Sequence, residues 1–63
     1  MFGEKLKEIR LKNGLKQSVL AKYLGTTQTI ISMYESGKIQ PTLYTLEKIC
    51  KFFNVNSSEL LGF

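Results

Sequence analysis

QSVLAKYLGTTQTIISMYES, residues Gln17 to Ser36, reads as two short helices bent around Gly25. Leu20, Ala21 and Leu24 fall at helical spacing and then stop at a glycine, the residue most free to take the left-handed conformation that closes a helix. Thr27 is a good N-cap for the second helix. That helix, from about Gln28 to Glu35, puts Ile31 and Tyr34 on one face and leaves Gln28, Thr29, Ser32 and Met33 mostly on the others.

Ala21 is small where two steeply crossing helices bring their backbones together, and a larger side chain there would push them apart. Each of these features is common by itself. The joint spacing of Ala21, Gly25, Ile31 and Tyr34 is far more specific, and it resembles a helix-turn-helix, the motif whose second helix enters the major groove of DNA.

The 63 residues make one domain at most. A core that small leaves few apolar residues to spare for a deep cleft, which disfavours an enzyme. There is no His, and Cys50 is the single cysteine. An internal disulfide and a structural zinc are therefore excluded, and no metal or cofactor is expected. No apolar run approaches the length of a membrane span, and MFGEKLKEIR is charged too early for a signal peptide, so a cytoplasmic protein is expected. Nine Lys and Arg against five Asp and Glu give a net charge of +4, which favours an anionic partner. Lys12, Lys16, Lys22 and Lys38 lie in or beside the two-helix unit, and Glu35 is the one acid that intrudes.

Outside that unit, Phe2, Leu6 and Ile9 mark an amphipathic helix from about Phe2 to Asn13, ended by Gly14, with Leu15 plugging the core from the loop. Lys5 and Lys7 read as a solvated face. Arg10 sits near the apolar stripe instead of opposite it. Its natural partner is Glu35, because a guanidinium can hold a carboxylate with two parallel hydrogen bonds. Lys16 is a poor N-cap for the helix starting at Gln17, yet it and Gln17 stand where an anion would meet that helix. Gly37 caps the helix ending near Glu35, and Pro41 precedes the next. From Thr42 to Asn54, Leu43, Leu46, Ile49, Cys50 and Phe53 predict a helix that closes the core, with Cys50 as a small hydrophobe. Asn56 with Glu59 spells a capping box, and Val55 can staple to Leu60, so a short fifth helix runs to about Leu61. Phe52, Leu61 and Phe63 are more apolar surface than such a core needs. They either cover its edge or form a dimer contact.

Leu6, Ile9, Arg10, Gly14, Leu15, Gln17, Leu20, Ala21, Leu24, Gly25, Ile31, Ser32, Tyr34, Glu35, Gly37, Pro41, Leu46, Ile49, Val55 and Leu60 together make the chain resemble the Cro and repressor (XRE-type, lambda-repressor-like) family of helix-turn-helix proteins. The resemblance spans nearly the whole chain. It implies an all-α, five-helix fold with the motif formed by the second and third helices, and a single DNA-binding domain over 1–63. It further implies base contacts from Thr27, Gln28, Thr29, Ser32 and Met33, and phosphate contacts from Lys16, Gln17 and Lys38. The implied partner is a palindromic double-stranded operator bound by a homodimer. Gln pairs with adenine, and Thr and Met meet the thymine methyl, so this set leans toward A·T pairs. Relatives often carry Arg or Lys at the positions of Gln28 or Met33. Ile30 stands where a polar residue is usual, and it is open to the groove, a sugar or the preceding helix.

The leading expectation is a sequence-specific transcriptional regulator, a repressor acting by occupancy. The alternative is a protein-interaction or antitoxin-like module on the same fold, which the lysines around the motif disfavour.

Overall fold

The computed structural model describes residues 1–62; Phe63, one of the three candidate dimer residues, lies outside them. Five helices succeed one another: α1 (Phe2–Lys12), α2 (Gln17–Leu24), α3 (Gln28–Glu35), α4 (Leu43–Phe53) and α5 (Ser57–Leu61), with no strand among the described residues. None of them is long and apolar enough to cross a membrane.

Most of the boundaries have a local chemical cause. Gly14 and Gly25 take left-handed φ values of +69° and +70° just beyond α1 and at the end of α2. Thr27 Oγ1 accepts the Ile30 amide at 3.2 Å and Thr42 Oγ1 accepts the Thr45 amide at 3.1 Å, starting α3 and α4. Asn56 and Glu59 form the reciprocal capping box of α5. Lys16 gives α2 no side-chain cap. The cap of α3 is Ser36 instead of Gly37; the glycine comes next at φ +80°, letting the Lys38 amide turn back onto the Met33 carbonyl at 2.9 Å.

The core takes one fully buried aliphatic side chain from every helix: Leu6, Leu20, Ile31, Ile49 and Leu60. At about 1.5–3 kcal/mol each, their burial is what holds five short helices that would not persist in isolation. Ala21 is buried where α2 and α3 pack, Leu15 is half-buried, and Tyr34 meets Phe2 edge to face with ring centroids 5.8 Å apart.

Three features depart from the periodicity. Leu43 has the right phase for the core but is 72% exposed. It sits in the first turn of α4, one turn before Leu46, the first buried residue of that helix. Ile30 packs against the core cluster, as does Ile39 from the loop. Gly3 is buried because α1 runs directly against the end of α3: a Cβ there would press into the Tyr34 carbonyl oxygen and come within 2.8 Å of the Glu35 carbonyl oxygen.

Candidate nucleic-acid interface

The position of α3 is fixed from both ends. At its start, the Thr27 cap and the Gly25 turn hold it to α2. Near its end, Glu35 is gripped by α1: Arg10 Nε donates to Glu35 Oε2 at 2.6 Å and Arg10 Nη2 to Oε1 at 3.0 Å, while Nη1 donates to the Leu15 carbonyl at 2.8 Å. The two side chains are only 8% and 4% exposed. A buried pair that is fully hydrogen-bonded holds geometry more than it adds stability, and losing either partner strands the other. No buried side-chain nitrogen or oxygen among the described residues lacks a partner.

With Ile31 and Tyr34 inward, the other side of α3 faces solvent. One surface depression is walled by Gln17 from α2, by Gln28, Thr29, Ser32 and Met33 from α3, and by Ser36 and Lys38 from the turn beyond. The structure thus brings together seven side chains, six of which the sequence marks as candidates. Ser36 is the addition. Its signal was present, since it lies four residues after Ser32 and so continues the same stripe. Thr27 is exposed beside this wall, with its oxygen engaged in the cap, and Lys16 is exposed at the start of α2.

Gln17 is half-buried, and its Nε2 donates to Glu35 Oε1 at 3.0 Å, so one of its two amide hydrogens is already engaged. Its Oε1 lies 3.5 Å from Gln28 Nε2. The charge of Glu35 is cancelled by Arg10 beneath the surface, and Lys38 therefore stands on this face without an opposing exposed acid from α3. Lys12 borders a different depression, between α1 and α5, together with Lys5, Glu8 and Phe53.

Of the candidate dimer residues, Phe52 and Leu61 are among those described. Phe52 is 38% exposed, with its ring 5.0 Å from Tyr23 and 4.9 Å from Phe53, whereas Leu61 packs against its own core. Cys50 is half-buried on α4, and burial, then Glu47 and Glu59, pushes its thiol above the ordinary cysteine value. A nucleophilic cysteine needs the opposite surroundings.

Lys48 carries a role the sequence does not announce. Its Nζ donates to the Leu24 carbonyl at 2.8 Å and lies 5.6 Å from the centre of the Tyr44 ring. A cation at the C-terminal end of α2 meets the negative end of that helix, so Lys48 ties the motif's turn to α4.

The helix-turn-helix family model matches residues 6–60. The chain is 45% identical over 61 residues to the HTH-type transcriptional activator BcrR of Enterococcus faecalis, covering 97% of this chain and 30% of BcrR. It is 34% identical over 62 residues to the phage CTXphi transcriptional repressor RstR of Vibrio cholerae, covering 98% of this chain and 56% of RstR. The chain thus spans between about a third and somewhat over half of these relatives. Among solved structures, the P22 c2 repressor in complex with a synthetic operator superposes with a TM-score of 0.88 at 25% identity, covering 95% of this chain and 91% of that one. On the match over residues 6–60, which contains the whole α2–turn–α3 unit and the core helices that hold it, the chain belongs to the helix-turn-helix family.

Proposed function

We propose that this chain binds double-stranded DNA sequence-specifically as a transcriptional regulator, in the cytoplasm, with α3 in the major groove. Thr27, Gln28, Thr29, Ser32 and Met33 read base edges, while Lys16, Gln17 and Lys38 hold phosphates. The carrying observation is the single depression that gathers Gln28, Thr29, Ser32 and Met33 beside Lys38 while the acid of α3, Glu35, has its side chain buried and neutralised. A short uncharged polar face flanked by cations suits a ligand that is anionic at its edges and offers hydrogen-bonding groups between them. Similarity to proteins named as a repressor and an activator supports regulation by binding. A repressor acting by occupancy is the form we favour, as a homodimer on a palindrome with half-sites about 34 Å apart, one helical turn.

Selection of duplexes from a random pool tests the reading, because a motif and its symmetry emerge together. Gln28→Ala is expected to lose roughly 1–3 kcal/mol on the selected site and to flatten discrimination at one base pair. An equal loss on every sequence would move Gln28 to the backbone. A pool with no enriched motif would favour the protein-interaction reading, for which the exposed Tyr23 and Phe52 rings offer a surface.

A further inference from the structure

Glu35 has a third donor besides the two nitrogens of Arg10, and that donor faces the DNA side. Gln17 Nε2 reaches Glu35 Oε1 at 3.0 Å, and the other end of the same carboxamide, Oε1, lies 3.5 Å from Gln28 Nε2. A carboxamide is nearly symmetric in shape but opposite in polarity at its two ends, so shape alone does not decide which way round Gln17 sits. An ionised carboxylate only accepts hydrogen bonds. Held on both oxygens by Arg10 and 4% exposed, Glu35 cannot turn aside, and a flipped Gln17 would set oxygen against oxygen. The amide end of Gln17 is thereby forced inward and its oxygen outward, toward Gln28. An oxygen at that place draws the amide end of Gln28, leaving Gln28 one N–H and its carbonyl oxygen, the pair that adenine N7 and N6 require.

We propose that Glu35 is a positioning residue for base reading: by fixing the polarity of the Gln17 carboxamide, it selects how Gln28 is presented to the groove. The inference rests on the reading of Gln28 as a base-contacting residue. At 3.5 Å the contact between the two glutamines lies at the outer limit of a hydrogen bond, so Gln28 is biased before DNA arrives and not locked.

The test uses the 63-residue chain with its selected duplexes. Gln28→Ala first identifies the base pair at which that side chain discriminates; if there is none, the reading of Gln28 fails and the inference with it. Arg10→Met combined with Glu35→Leu then removes the acceptor without stranding a guanidinium. Discrimination at the Gln28 base pair is expected to fall about tenfold, while discrimination at other pairs stays within about twofold. A uniform loss at every pair would leave Glu35 a structural anchor alone, and an unchanged ratio would overturn the proposal outright. If the double variant does not fold, the side-chain amide of Gln17 in the native protein decides. Bound to Glu35, the engaged one of its two protons exchanges with solvent about tenfold more slowly than those of exposed Gln40, and equal rates refute the proposal.

Discussion

Gly3→Ala sets two effects of opposite sign against each other. By helix propensity the substitution stabilises α1, by at most about 1 kcal/mol and by less in a first turn. By packing it destabilises. The new Cβ would press into the Tyr34 carbonyl oxygen and sit 2.8 Å from that of Glu35, and both obstacles are backbone, which cannot swing away as a side chain would. Restoring an ordinary carbon–oxygen contact requires α1 to move off α3 by about 1 Å, which disturbs the close packing of Phe2 and Leu6 on α1 with Tyr34 on α3. Such overpacking costs about 1–3 kcal/mol, so the net expectation is a loss of about 1–2 kcal/mol. For a domain of this size that lowers Tm by about 5–15 °C. Urea unfolding monitored by circular dichroism should show a lower midpoint at unchanged slope. A midpoint equal to or above that of the native chain would refute the close approach of α1 to α3.

Lys48→Met keeps the aliphatic stem but loses the bond to the Leu24 carbonyl; a loss of about 1–2 kcal/mol is expected, read as a lower Tm, and an unchanged Tm would remove Lys48 from the motif's support. Lys38→Ala is expected to weaken binding to all duplexes alike and to lower the slope of log K against log salt by about one; an unchanged slope would take Lys38 out of the interface. Cys50 is expected to alkylate more slowly in the folded chain than in urea, its rate rising only at higher pH, because burial, Glu47 and Glu59 all disfavour the thiolate. Since the folded value lies above the unfolded one, the stability this thiol contributes is fully present below the unfolded pKa and is lost as pH rises through the folded one. A profile at or below that of an ordinary thiol would contradict the surroundings described.

The five helices and their ends were legible in the chain because their causes are local. A cap, a left-handed glycine and an apolar repeat are each complete within a few residues, so Gly25, Thr27 and the Asn56 and Glu59 box announce themselves in order. The grouping of Gln28, Thr29, Ser32 and Met33 on the exposed side of α3 comes from the same helical period once Ile31 and Tyr34 are taken inward. Apart from the Arg10–Glu35 pair, which the chemistry of two lone charges beside an apolar stripe already suggested, tertiary structure alone decided the contacts between residues far apart in sequence. Leu43 keeps the phase of a core residue and yet stands exposed, Gly3 is required by carbonyls in another helix, and Lys48 reaches back to Leu24. The carboxamide of Gln17 is turned by a carboxylate 18 residues away. Periodicity states which way a side chain points along its own axis. Only the docking of one helix on another states what it meets there.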